Sequence, residues 1–294
     1  METGRPVELG PRVVRVLAPN PSPMTYHGTN SYLLGQEALA VIDPGPDDAR
    51  HLDALLRAIG GRPVSHVFVT HSHLDHSPLA GPLARAVGAP VLAFGDWTAG
   101  RRPVMERLAA EGLVGGGEGV DTAFRPDVAL ADGAVVETGA GPVRVLHTPG
   151  HLGNHVCLGW DDVVFTGDHV MGWASSLVSP PDGDLTAFME SCDRLAHMPA
   201  RTFYPGHGDP VREPAARLDW LIGHRRAREA QVLAALQQGP APLPDLTTRV
   251  YADIDPALHP AAARNLLAHL IDLYERGLVT ARPQLSQRAI FTLA

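Results

Sequence analysis

Short apolar runs and helix-spaced stretches alternate along the first two-thirds of the chain. Residues 13–17, 31–34 and 38–43 are β-rich, and Pro44-Gly45 closes the third run. Leu52, Leu55, Leu56 and Ile59 then recur at helical spacing, which predicts a helix over 48–59 capped by Asp47 or Asp48 and stopped by Gly60-Gly61. Residues 64–70 form the next apolar strand, 79–87 a helix and 90–94 another strand. Beyond an irregular, glycine-rich stretch at 112–119, further strands are predicted at 134–137, 143–147, 155–159 and 162–165. A helix at 185–197 and a strand at 202–204 end this pattern. Two sheets with helices on their outer faces fit the order.

The pattern changes near residue 213. A long helix is predicted over 215–238, stopped by Gly239-Pro240, with two more over 246–252 and 261–276. In the last of these, Leu266, Leu267, Leu270, Leu273 and Tyr274 make one apolar face. Residues 278–281 and 289–292 suit a two-stranded wing. The chain thus divides into a larger α/β domain, 1–214, and a small helical, winged-helix-like domain, 215–294.

Composition narrows the function classes. The 294 residues are 45% apolar and 19% charged, an ordinary globular mixture. The net charge of -8 argues against a protein that coats nucleic acid without specificity. Cys157 and Cys192 read as buried free thiols of a reducing compartment. The first residues lack a basic stretch followed by an apolar one, and no apolar run is long enough to span a bilayer. A cytoplasmic protein without a membrane partner is expected.

The chemistry concentrates in Thr70-His71-Ser72-His73-Leu74-Asp75-His76, directly after a strand. Imidazole nitrogen and carboxylate oxygen suit zinc and similar borderline metals. A sharp turn at a strand end can aim His71 and His73 at one ion and Asp75 and His76 at a neighbour. Three more strand ends offer ligands: His151 after Pro149-Gly150, Asp168 after Thr166-Gly167, and His207 after Pro205-Gly206. Asp168 has two oxygens with which to bridge two ions. Seven donors are what two metals sharing a solvent molecule need, and such a pair would give hydroxide at neutral pH. Asp75 could also orient that hydroxide or take its proton. Asp43, at the end of the third strand, is a candidate to support a ligand histidine by hydrogen bonding. Thr29 and Asn30 are candidates for the mouth of the site, and His155 and His169 for its support. Arg225, Arg226 and Arg228 could contact an RNA backbone, but a solvated helix face or ion pairs with Glu229 or Asp219 fit them equally well.

The chain resembles the metallo-β-lactamase superfamily, whose HxHxDH motif is matched by His71, His73, Asp75 and His76, and whose later His, Asp and His are matched by His151, Asp168 and His207. Asn20-Pro21-Ser22-Pro23-Met24, Gly28-Thr29-Asn30-Ser31-Tyr32-Leu33, Ile42-Asp43-Pro44-Gly45 and Gly167-Asp168-His169-Val170-Met171-Gly172 resemble its β-lactamase-like protein 2 branch, as does His224-Arg225-Arg226-Ala227-Arg228-Glu229. The resemblance implies an αββα sandwich with a C-terminal winged-helix-like domain. It implies one ion on His71, His73 and His151, and another on Asp75, His76 and His207, with Asp168 bridging. Two zinc ions are the expected cofactors, with iron or manganese as alternatives.

Animal members of that branch are metal-dependent endoribonucleases on single-stranded RNA, so phosphodiester cleavage of RNA is the first expectation. A hydrolase of small thioesters, lactones or esters on the same metals is the other. No aromatic stacking platform for single strands is legible. Redox chemistry is a further alternative. Di-iron oxygen reductases of the superfamily carry Glu where His73 stands, whereas a mononuclear-iron persulfide dioxygenase stays open. A non-enzymatic winged-helix binding module conflicts with the intact ligand set, and a homodimer is left open.

Overall fold

Alternation within single strands decides the layering. In β3 (Asn30–Gly35) and β4 (Leu39–Ile42) every residue is buried, because successive side chains enter different cores. Tyr32, Leu34, Ala40 and Ile42 face one apolar cluster. Leu33, Leu39 and Val41 face another. The computed structural model describes residues 2–255 and 258–294.

Strands β1 (Pro6–Gly10), β2 (Val13–Leu17), β3 and β4 form an antiparallel meander. Parallel strands β5 (Val64–Phe68), β6 (Val91–Ala93) and β7 (Val128–Ala129) complete a seven-stranded sheet in sequence order. Helices α1 (Ala49–Ile59) and α2 (Ala80–Val87) cover its outer face through Ala54, Leu55, Ile59, Ala80 and Leu83. Asp48 caps α1 by accepting the Arg50 N–H, and Gly60 ends it in the left-handed conformation at φ 62°.

The second sheet has the order β12-β11-β10-β9-β8. Its members are β8 (Val135–Thr138), β9 (Gly141–His147), β10 (Val156–Trp160), β11 (Val163–Gly167) and β12 (Thr202–Pro205), with β12 parallel to β11. Val145, Val156, Leu158 and Phe165 meet Ile42 and Phe68 of the first sheet in the central core. Helix α4 (Leu185–Ala196) and the start of α5 (Pro214–Gln237) cover the outer face through Phe188, Cys192, Leu195, Leu218 and Leu221. The result is the expected αββα sandwich. β1 and β7 were not legible: β1 is exposed or half-buried along its length and β7 fully exposed, so neither has an apolar face to announce it.

The C-terminal region holds the second half of α5, β13 (Ala241–Pro242), α6 (Leu243–Val250), α7 (His259–Glu275), β14 (Val279–Arg282) and β15 (Ile290–Leu293). The wing has three strands instead of the expected two, because Ala241 pairs with Phe291 and places β13 beside β15. Helix α3 (Pro103–Ala110) was not predicted either. Its Val104, Met105 and Leu108 belong to the C-terminal core, with Val232, Leu266, Leu270 and Phe291. The division near residue 214 therefore does not separate two independent cores.

Leu108→Ala should cost about 2–5 kcal/mol in urea denaturation, as for other core truncations of this kind. Hydrogen exchange should then quicken in α7 as well as in α3. Faster exchange confined to 103–119 would contradict the shared core.

Candidate metal centre

Every candidate ligand follows a strand that ends at one edge of the sandwich. β4 and β5 are parallel, and β9, β11 and β12 share a direction in the other sheet. Asp43 follows β4, His71 to His76 follow β5, and His151, Asp168 and His207 follow β9, β11 and β12. The turn at 73–77 is tied by His76 and Ser77 N–H groups donating to the His73 carbonyl, and the Gly45 N–H holds the His76 carbonyl at 3.0 Å. Two glycines let the chains close in. A Cβ on Gly206 would lie 2.3 Å from Asp168 Oδ1, and one on Gly167 2.6 Å from His155 Nε2.

The seven residues fall into two groups. His71, His73 and His151 form one, and Asp75, His76, Asp168 and His207 the other; within each, one donor atom per residue lies within 4.8 Å of the rest. His73 Nδ1 is 3.0 Å from both His71 Nε2 and His151 Nε2. Asp168 Oδ2 lies 3.2 Å from His207 Nε2 and 3.7 Å from His151 Nε2, so it reaches both groups. Asp75 Oδ2 is 3.1 Å from His207 Nε2 and 3.3 Å from His76 Nε2.

The opposite ring nitrogens are held by oxygen acceptors. His151 Nδ1 donates to the Leu177 carbonyl at 2.8 Å and His207 Nδ1 to the Gly28 carbonyl at 3.1 Å. His76 Nδ1 donates to Asp43 Oδ2 at 2.9 Å. His71 Nδ1 lies 3.0 Å from Thr70 Oγ1, which in turn donates to Asp43 Oδ2 at 2.8 Å. In the neutral ring each bond selects the tautomer that leaves a lone pair on Nε2, facing the cluster. Asp43 thus steadies one histidine of each group, directly and through Thr70, and it also accepts the Thr70 N–H at 2.7 Å.

Burial drives His71 well below the ordinary imidazole range, His73 down to about 3, and His151 downward. These rings are neutral, as ligands must be. In the second group burial opposes charge on His207, yet Asp168 and Asp75 outweigh it and push the ring up to about 10. His76 rises for the same reason, against its burial. Burial would raise the carboxyl of Asp75, but His76 and His207 hold it well below its usual range. Two buried carboxylates here demand positive charge from a proton or a cation. His76 Nε2 and Asp168 Oδ1 have no hydrogen-bond partner, and one His73 Nδ1–H is all that the lone pairs of His71 and His151 Nε2 could share. Nitrogen and oxygen donors with these orphans fit two divalent ions.

Thr29 and Asn30 do not line the mouth; both are fully buried. Thr29 Oγ1 donates to Asp75 Oδ2 at 3.2 Å, and Asn30 Nδ2 donates to the carbonyls of Pro205 and Gly208 around His207. His155 Nε2 accepts the Asp168 N–H at 3.2 Å. His169 is buried against Phe188, with Nε2 3.6 Å from Cys192 Sγ. Burial pushes the thiols of Cys157 and Cys192 up to about 12, which removes them as nucleophiles. Met24, Gly117, Glu118, Met171, Leu177 and Asp182 frame the cleft over the cluster.

The expected basic stretch is mostly consumed by the fold. Arg225 is buried, donates to the Ser176 carbonyl and to Asn265 Oδ1, and lies over Phe188. Arg228 donates to the Val250 carbonyl and covers Tyr251. Arg226 alone of the three is fully exposed.

With this geometry in view, the comparisons with known proteins agree. Residues 24–207 match the metallo-beta-lactamase superfamily model, and 243–285 match the beta-lactamase associated winged helix domain. The chain belongs to the metallo-beta-lactamase superfamily, a hydrolase fold with a dinuclear metal site for which the seven residues are the candidate ligands. It is 31% identical to the beta-lactamase-like protein 2 homolog of Drosophila melanogaster, over 90% of this chain and 88% of that one. It is 35% identical to an atrochrysone carboxyl ACP thioesterase of Aspergillus fumigatus, over 78% of this chain and 66% of that one. A metallo-beta-lactamase family protein from Thermus thermophilus superposes with TM-score 0.76 at 25% identity, covering 98% of this chain and 100% of that one.

Asp43→Ala should destabilise the fold by about 3–5 kcal/mol in urea denaturation, because it strips buried donors of a charged acceptor. Asp43→Asn, which keeps an acceptor for the Thr70 N–H, should lose less. Equal losses would assign the effect to packing rather than to these bonds.

Proposed function

We propose that the protein is a dinuclear-metal hydrolase of small carboxylic thioesters or esters. In this reading His71, His73 and His151 would hold one ion, and Asp75, His76 and His207 the other, with Asp168 within reach of both. Zinc is the ion that best suits five imidazoles and two carboxylates, with iron and manganese next. Bound there, the ions would supply Lewis acidity toward a water and a substrate carbonyl. Asp75, with Thr29 fixing one oxygen, orients the attacking water and takes its proton.

The observation that carries the choice of substrate is the framing of the cleft. Met24, Met171 and Leu177 offer an apolar wall; of the two acids beside it, Asp182 is ion-paired with Arg101, and Glu118 accepts from Ser22 Oγ. A polyanion such as RNA would meet Glu118 and an apolar wall at the mouth, and Arg225 and Arg228 are committed to carbonyls inside the protein. A compact, uncharged acyl group meets no such opposition. The thioesterase name of the fungal relative is consistent with this class.

The test is elemental analysis of the purified protein with turnover on a thioester, ester and lactone panel and on single-stranded RNA. About two zinc per chain, metal-dependent ester turnover and inert RNA are expected. Asp75→Ala and His151→Ala should lower turnover beyond the about 10–100-fold that loss of an outer hydrogen-bond partner costs. RNA cleavage with inert esters would replace this reading by the nuclease one, and a single iron would point to dioxygenase chemistry.

A further inference from the structure

Helix α7 reaches from the C-terminal core to the metal cluster through one backbone segment. Asn265 Oδ1 accepts the Val178 N–H at 3.2 Å and the Arg225 Nη1–H at 3.1 Å. Arg225, from α5, donates its other terminal nitrogen to the Ser176 carbonyl. Between these two anchored residues stands Leu177, whose carbonyl accepts from His151 Nδ1. The segment is also part of the cleft wall, since Leu177 and Ser179 line it. A second contact falls nearby: the Arg264 guanidinium lies against Gly116, and Arg264 Nη1 is 3.3 Å from the Val114 carbonyl and 3.4 Å from Ser179 Oγ.

We infer that Asn265 and Arg225 are positioning residues for the ion held by His71, His73 and His151, a function that joins the winged-helix region to the metal centre. The inference rests on the metal-centre reading above. Its physical basis is the aim of a ring. A metal-binding imidazole is oriented by the acceptor on its far nitrogen. For His151 that acceptor is a loop carbonyl, whose place depends on the residues either side of it. Asn265 and Arg225 tie both neighbours to helices whose own places are set by the C-terminal core. Arg225 is suited to this work because burial lowers its pKa only to about 10, leaving the guanidinium charged and directional at neutral pH.

The experiment titrates zinc into the metal-stripped full-length protein against a chromophoric chelator, and records the visible spectrum after cobalt substitution. Asn265→Ala should weaken one of the two zinc sites by about 10–100-fold, the range typical for loss of an outer-shell partner, and leave the other nearly unchanged. It should also alter the cobalt spectrum. Asn265→Asp, which keeps an acceptor facing Arg225 and Val178, should recover most of that affinity. Ile59→Ala serves as the control for general loosening, since Ile59 is buried in the outer core of the first sheet, apart from the C-terminal core and from this linkage. It should lower stability without selective loss of one ion.

Two tight zinc sites in Asn265→Ala, or an equal loss in Ile59→Ala, would overturn the inference while leaving the metal-centre reading intact. A parent protein that takes up no zinc, iron or manganese would overturn that reading and this inference with it.

Discussion

The carboxylate of Asp43 is the point on which both halves of the metal cluster depend. It is buried at the C-terminal end of β4, where the backbone turns into the left-handed region at φ 49° before Pro44-Gly45. One of its oxygens takes the Thr70 N–H and the other takes Thr70 Oγ1 and His76 Nδ1. Through these three bonds it fixes the start of the His71–His76 turn, the ring of His76, and, by way of the Thr70 hydroxyl, the ring of His71. An uncompensated buried charge would be costly. Here each oxygen is hydrogen-bonded, so its desolvation is offset by donors whose orientation it controls.

Charge explains why the rest of the cluster can be buried at all. Asp43, Asp75 and Asp168 place three carboxylates at the edge of the two sheets, beside five imidazoles. The imidazoles of His71, His73 and His151 are driven neutral by burial and contribute no compensation. Two divalent ions and one shared hydroxide would bring the sum near zero, which protonation of His76 and His207 alone cannot do. The strand-end placement follows from the same need. Rigid strands carry the ligands to within hydrogen-bond distance, and glycine at 167 and 206 removes the side chains that would hold the segments apart.

The candidate ligands were legible because side-chain chemistry repeats at strand ends, and Asp43 was legible because it ends a strand before Pro-Gly. The carbonyls of Leu177 and Gly28 were not, since every residue has one and no side-chain pattern marks it. Thr70 reads as an ordinary β-branched strand residue, although its hydroxyl links two functional groups. Helix α3 has three core residues in eight, too short a period to stand out between glycine-rich segments. Arg225 carried a signal that its arginine neighbours concealed. It lies on the buried stripe of α5 formed by Leu218, Leu221, Val232 and Leu236, whereas Arg226 lies off it. Periodicity, more than charge, told which arginine the fold would bury.

That burial bears on how the two parts of the chain are coupled. Leucine on the same stripe would fit an apolar helix face without the desolvation cost of a guanidinium. An arginine there makes sense where direction matters more than transfer energy, and its bonds to the Ser176 carbonyl and Asn265 supply direction. The same logic applies to α3, which enters the C-terminal core immediately before the glycine-rich segment that lines the cleft at Gly116 and Gly117. Leu74, inside the His71–His76 turn, donates its N–H to the Gly119 carbonyl at 3.0 Å. Both walls of the cleft are therefore referred to one helical core. A displacement of that core would move the roof over the cluster and the carbonyl that holds His151 Nδ1 together, so the C-terminal helices belong to the architecture of the site.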